Sequence, residues 1–393
     1  MPALRILMVN YEFPPIGGGT GIACSQLLDE LADRRDIEID LVTSGTASEL
    51  ERTALARNIE IHRVPTPKRD LHYWRASELF TWTRRTLRYT DGLTGERAYD
   101  LCHCWAGWPS GIVGHQLRAK VPYVVSLRGS DVPGYNARLR VLDPLLMRHV
   151  CRRVWGRSAR VVAVSRNLRA LALKTQPAAL IDVIPNGVDV RRFRPGPDGA
   201  ASILFVGRLI ERKGVGHLIE AFAGLVDDFP WLGLTIVGEG PERPRLEAMV
   251  EARNLAGRVV FRGHLGREEL ARAYREAAIF VLPALSEAMP NVVLEAMASG
   301  LAIVTTRTGA GELLLGNGLT VDRADPGALR EALTTYLRDP DLLLQHRHTS
   351  RRLAEGMSWS AVADFFLAIY REAITAADRR VAIPAREFRL PAL

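Results

Sequence analysis

Glu287 and Glu295 are separated by seven residues, and those seven decide whether the two carboxylates act together. The stretch reads Ser286-Glu287-Ala288-Met289-Pro290-Asn291-Val292-Val293-Leu294-Glu295 and closes on Gly300. An apolar run at 278–282 leads into it and predicts a buried strand. Pro290 suits the first position of a helix, where its missing N–H costs nothing. Gly300 suits the position just past the helix end. The first free N–H groups would then be those of Asn291, Val292 and Val293, and with the helix dipole they attract an anion. Glu287 precedes that anion site, and Glu295 falls about one turn into the helix, on the side of Asn291 and Val292. Two carboxylates and a row of backbone donors therefore converge at one strand end. The plainer alternative is two solvated glutamates flanking an ordinary helix.

A second loop carries the opposite charge. Gly207-Arg208-Leu209-Ile210-Glu211-Arg212-Lys213-Gly214 follows the predicted strand 202–206. Arg208 and Lys213 then stand at the carboxyl edge, where doubly wound sheets bind ligands. A third loop, Gly17-Gly18-Gly19-Thr20-Gly21, lies between a strand at 4–9 and a helix expected from about Ile22 to Arg34. Glycines between a strand and a helix let backbone approach a phosphate. A dinucleotide fingerprint is excluded by spacing, because its third glycine would fall on Ile22 or Cys24. The alternative here is a tight strand–helix turn.

These loops need sheets to position them. Strands are expected at 4–9, 37–43, 59–64, 99–104, 121–127, 161–164 and 181–184, alternating with helical stretches and so implying a parallel sheet. Residues 138–160 read as a half-buried helix with a basic face. Pro185-Asn186-Gly187-Val188-Asp189 and the prolines at 195 and 197 mark a linker. The pattern then restarts with strands at 202–206, 234–237, 259–261, 279–282 and 302–305. Residues 358–373 form a last apolar-periodic helix. The tail after Ala376 is charged, proline-marked and expected to be mobile. The fold class is α/β, with a first domain over 1–190, a second over 198–358, and a tail at 377–393.

The Glu-x7-Glu spacing before Ala-Met-Ala-Ser-Gly, together with the Arg208–Lys213 loop, resembles the donor site of retaining glycosyltransferases of family 4. The resemblance is strongest over 202–318 and weakest over 70–97. It implies the GT-B architecture: two Rossmann-like domains facing a cleft, with the 359–376 helix returning to the first. It implies a nucleoside-diphosphate sugar donor, UDP-linked, and no metal or other cofactor. By matching position, Arg208 and Lys213 take the diphosphate and act, with Glu287, at the reacting centre. Glu287, Ala288, Met289, Pro290 and Asn291 meet the sugar, Val292 meets the diphosphate, and Glu295 takes the ribose hydroxyls. Gly263, His264 and Leu265 flank the base, while Gly18 and Gly19 approach the donor from the first domain. Arg128-Gly129-Ser130-Asp131 occupies the place where the family commonly has His-Gly-x-Asp, so Arg128 replaces a sugar-contacting histidine. The family also often has Gly where Ala288 stands, and Gly-Gly where Gly309-Ala310 stands.

Composition bounds the rest. With 393 residues, 47% hydrophobic and 24% charged, the chain has material for two globular domains. A net charge of +8 favours anionic partners. Those expected are the donor, a glycan or lipid-linked acceptor and an anionic membrane surface, without nucleic acid. Tyr73, Trp74, Phe80 and Trp82 interleave with Arg69, Arg75, Arg84, Arg85 and Arg88, a pattern that fits either a lipid-facing helix or a helix whose aromatics enter the core. Cys102-His103-Cys104 lacks a second ligand pair, so no metal site is assigned. Four cysteines without framework spacing suit a reducing compartment, and a cytoplasmic location, peripheral on the inner face of the plasma membrane, is the expectation. A sugar-nucleotide epimerase and a non-catalytic sugar- or lipid-binding protein are the competing readings. The first would act without an acceptor, and the second would not turn over donor.

Overall fold

The computed structural model describes residues 3–71, 73–136, 146–196, 202–379 and 384–388. Two compact units emerge: Met1–Asn186 with Trp359–Phe388, and Gly187–Ser358.

In unit one the strands are β1 (Leu4–Val9), β2 (Ile37–Gly45), β3 (Glu51–Ala56), β4 (Ile59–Pro65), β5 (Leu101–Cys104), β6 (Tyr123–Leu127), β7 (Arg160–Ala163) and β8 (Ile181–Val183). Their spatial order is β3-β4-β2-β1-β5-β6-β7-β8. All neighbours are parallel except β3 and β4. The helices are α1 (Gly19–Leu31), α2 (Ala76–Glu96), α3 (Ser110–Leu117), α4 (Arg148–Trp155) and α5 (Arg166–Leu173). Strands such as β5 and β6 are buried at every position, as in a parallel sheet covered on both faces. The order reverses between β1 and β5, so the glycine loop after β1 opens at a switch point.

Three features of unit one differ from the sequence reading. Helix α1 starts at Gly19, not Ile22, which brings the glycine loop onto the helix N-terminus. Strand β3 was not anticipated; its exposed Glu-Arg-Thr-Ala-Leu-Ala lacks the apolar alternation that marks a half-buried strand. Of the tail, residues 384–388 lie along β8 rather than free, because Arg386 N donates to Asp182 Oδ1 at 2.5 Å and Glu387 pairs with Arg166 and Arg169. The basic run at 138–145, Pro197 and the last residues, 389–393, lie outside the described residues.

Unit two repeats the scheme with β9 (Ile203–Val206), β10 (Leu234–Val237), β11 (Val259–Gly263), β12 (Ile279–Leu282), β13 (Ala302–Thr306) and β14 (Gly318–Val321). The order is β11-β10-β9-β12-β13-β14, wholly parallel. Helices α6 (Val215–Ala223), α7 (Arg243–Ala252), α8 (Arg267–Arg275), α9 (Asn291–Ala298), α10 (Pro326–Arg338) and α11 (Pro340–Glu355) cover it. The direction of winding reverses between β9 and β12. The basic loop follows β9 and the Glu287 loop follows β12, so both motifs fall at this switch point. Finally α12 (Trp359–Arg379) completes unit one: Phe366 and Tyr370 join one apolar cluster with Met8, Leu27 and Trp105.

Candidate active site

Unit two assembles its site by tying three loops together through their backbones. Leu285 N donates to Arg212 O at 2.8 Å, and Gly309 N donates to Glu287 O at 2.9 Å. The loop after β12 is thus held between those after β9 and β13. Two glycines permit this closeness. Gly214 has φ +69°, and a Cβ there would stand 2.1 Å from Pro283 O. A Cβ on Gly309 would stand 2.0 Å from Ala288 O.

The charges then meet. Lys213 Nζ is 2.6 Å from Glu287 Oε1, and Arg212 Nη1 is 3.3 Å from the same oxygen. Arg212 Nη1 also donates to Ser286 O at 2.5 Å. Arg208 stands at the same loop with an exposed side chain. Pro290 is the N-cap residue of α9 rather than its first helical residue, so the helix opens at Asn291. Val293 N is already taken by Pro290 O at 3.1 Å. Ala288 and Met289 line the approach to the helix, Ala288 buried and Met289 half-buried.

Glu295 is half-buried one turn into α9. Its Oε2 accepts from Tyr274 Oη at 2.9 Å, and the same hydroxyl lies 3.2 Å from Val292 O. Burial pushes the Glu295 carboxyl up to about 7, against the Tyr274 hydrogen bond that lowers it. On the far side of β9, Gly263 takes φ +64° and its carbonyl accepts from Gly238 N at 2.8 Å; exposed His264 and half-buried Leu265 follow it.

Unit one presents a second set of groups. Gly18 caps α1 and its N donates to Glu12 Oε2 at 3.4 Å, while a Cβ on Gly18 or Gly19 would meet nothing within 4 Å. Asp131 is buried and already filled: Oδ1 accepts from Arg128 N at 2.9 Å and Gly129 N at 2.7 Å, and Oδ2 from Gly107 N at 2.6 Å. These three bonds tie the loop at 128–131 to Gly107. The Arg128 guanidinium lies over the Trp105 ring, 4.8 Å from its centroid, and donates to Asn186 Oδ1 at 2.5 Å. Burial lowers its pKa to about 10, still far above neutrality.

The structure thus brings Lys213 and Glu287 into direct contact and places Glu295 on the helix behind them. Three partners escaped the sequence reading. Loop spacing assigns Arg212 no role, Tyr274 precedes Glu295 by 21 residues with no spacing signal, and Asn186 falls within the linker pentad. The Cys102-His103-Cys104 run divides by strand alternation. The thiols lie 3.8 Å apart, while His103 bonds Ser126 Oγ and Tyr370 Oη, each at 2.7 Å, through its two ring nitrogens.

Comparison with known proteins covers nearly the whole chain. The family described as Glycosyltransferase Family 4 matches residues 17–192, and that described as Glycosyl transferases group 1 matches residues 200–339. The D-inositol 3-phosphate glycosyltransferase of Corynebacterium jeikeium is 27% identical over 430 residues, covering 97% of this chain and 100% of the relative. The sucrose-phosphate synthase of Thermosynechococcus elongatus superposes with a TM-score of 0.81 at 25% identity, over 95% of this chain and 100% of the other. The Anabaena protein HepE, solved in complex with UDP-glucose, shares the fold with a TM-score of 0.72 at 17% identity, over 94% and 99%.

Proposed function

The chain belongs to the family 4 glycosyltransferases of GT-B fold, and on that footing we propose that it transfers a sugar, with retention of configuration, from a UDP-sugar to a hydroxyl of a glycan, lipid-linked or small-molecule acceptor in cell-envelope glycan or glycoconjugate synthesis. The observation that carries this reading is the 2.6 Å contact of Lys213 with Glu287, which joins the basic loop and the Glu-x7-Glu loop at the switch point of unit two. The donor names in the solved complexes and the phosphate in relatives' names support a diphosphate donor and a sugar-type acceptor.

The residues divide the work as follows. Arg208, Lys213 and the N-terminus of α9 face the diphosphate, whose negative charge grows as the anomeric C–O bond breaks; fixed cations there stabilise the transition state more than the ground state. Glu287 holds the Lys213 ammonium in place and presents its second oxygen to sugar hydroxyls. Glu295 accepts from the ribose. The acceptor oxygen forms the new bond on the face that the phosphate leaves, and the acceptor's proton passes to the departing phosphate oxygen. No carboxylate is assigned a nucleophilic role. Unit one, with Gly18, Gly19 and Arg128, is assigned to acceptor binding.

Among the described residues no helix is long and apolar enough to cross a membrane. A peripheral surface is proposed instead on α2, where Phe80, Arg84 and Arg88 recur at helical spacing and are exposed. The deciding experiment mixes the protein with UDP-sugars one at a time, with and without acceptor extracts. Thermal stabilisation by UDP, followed by an α-linked product from an α-linked donor, is expected. Donor epimerised without acceptor, or bound but never turned over, would select one of the other two readings.

A further inference from the structure

Outside the candidate site, unit one gathers three side chains whose types suit a divalent cation. Asp40 on β2 pairs in register with Glu60 on β4, and His62 lies two residues further along β4. Alternation places all three on one face of the sheet. His62 is 1% exposed and Asp40 3%. The His62 Nε2 atom stands 3.5 Å from Asp40 Oδ1 and 3.3 Å from Glu60 Oε2. Buried Nε2 makes a hydrogen bond to neither oxygen. Ligands about 2.0–2.2 Å from a tetrahedral ion stand roughly 3.3–3.6 Å apart, so these separations match the edges of such a site.

The surroundings complete the arrangement. His62 Nδ1 is 2.6 Å from Tyr89 Oη of α2. A proton on Nδ1 donated to that hydroxyl leaves the Nε2 lone pair free, as metal-bound histidines require. Asp40 Oδ2 accepts from Tyr99 Oη and from Arg97 Nη1, the latter at 2.9 Å, which fixes the carboxylate plane. Arg97 Nη1 also approaches Oδ1 at 3.3 Å, the contact that an ion would replace. Arg97 Nη2 and Arg5 Nε are both engaged by Glu38, at 2.6 and 3.0 Å. Glu60, with its side chain 41% exposed, supplies the path from solvent.

We propose that Asp40, Glu60 and His62 form a binding site for a zinc-like divalent cation that staples β2 to β4. One nitrogen and two carboxylate oxygens suit zinc and its borderline neighbours better than calcium or magnesium, which prefer all-oxygen shells. The fourth position falls to water. The site is structural and takes no part in the transfer chemistry.

The test titrates Zn²⁺ alone into the full chain after chelator stripping, by calorimetry with parallel metal analysis. One Zn²⁺ per chain, at micromolar affinity or tighter, is expected, together with a rise in Tm. Glu60→Gln keeps a half-exposed position polar and should fold; it is expected to weaken Zn²⁺ at least about tenfold, with donor turnover unchanged. His62→Gln, checked for folding by circular dichroism, is expected to abolish the site. Absence of saturable Zn²⁺ binding overturns the proposal. Binding that is unchanged in folded Glu60→Gln overturns it equally, since the zinc then sits elsewhere.

Discussion

At the scale of single residues, Lys213 and Glu295 carry separable tasks. Lys213 sits on an oxygen of Glu287 in the free protein, so its ammonium is pre-oriented rather than recruited by substrate. Lys213→Ala removes a charge that acts mainly on the leaving group, and kcat is expected to fall by roughly 100-fold or more, in line with other electrostatic stabilisers. Unchanged turnover in a folded variant would take Lys213 out of the mechanism. Glu295 must be ionised to accept from both ribose hydroxyls, yet burial raises it to about 7. Donor affinity is therefore expected to climb as pH rises from 6 to 8, and Glu295→Gln should flatten that profile while weakening UDP. The same group affects stability with the opposite trend. The folded chain keeps a proton that the unfolded chain releases between 4.5 and about 7, so its contribution is full below this window and declines as pH rises through it. Binding titrations and melting curves across this range check both signs; a flat wild-type affinity profile would separate Glu295 from the ribose.

At the scale of elements, the legible parts are those whose burial writes a pattern. Every strand of unit two except β14, and every strand of unit one except β3, is marked by an apolar run, and α9 by Pro290 and Gly300 at its ends, with Gly300 at φ +69°. Where burial is absent the signal vanishes, as in β3, whose six residues are almost wholly exposed. Partners far apart in sequence leave no spacing either: Tyr274 of α8 reaches Glu295 of α9 with its ring 5.9 Å from that of Phe280 in β12. Helix α2 shows both readings of its aromatics at once. Trp82 is fully buried, and Lys68 is drawn in by Glu78 at 2.9 Å and lies 3.8 Å from the Trp74 ring centroid, so this end serves the core. Phe80, at 71% exposed, and the exposed Arg84 and Arg88 serve no core, while exposed Arg85 donates through Nη1 to Pro65 O at 2.7 Å. If this face meets lipid, vesicles containing anionic lipid should bind the protein, salt should weaken the binding, and the triple change Arg84→Gln, Arg85→Gln and Arg88→Gln should weaken it further. Equal binding to neutral vesicles, or none to anionic ones, would refute a membrane role for α2.

At the scale of the whole molecule, the question is where the positive charge opposite a diphosphate comes from. The chain carries a net +8, and unit two places Arg208, Arg212 and Lys213 on one loop beside the N-terminus of α9. Two of these cations already share Glu287, so on donor binding the phosphates compete for ammonium and guanidinium groups that are in position. A protein so equipped needs no bridging divalent ion to offset the leaving charge. Transfer activity is therefore expected to survive excess EDTA within about twofold. The Asp40–Glu60–His62 site gives the same treatment a second readout, because stripping a structural ion lowers Tm without touching turnover. Activity and melting temperature measured on one EDTA-treated sample thus separate the two roles of metal. Activity lost on chelation and restored by Mg²⁺ or Mn²⁺ would mean that the basic loop does not suffice, and the leaving group would then have to be neutralised by an ion bound with the donor.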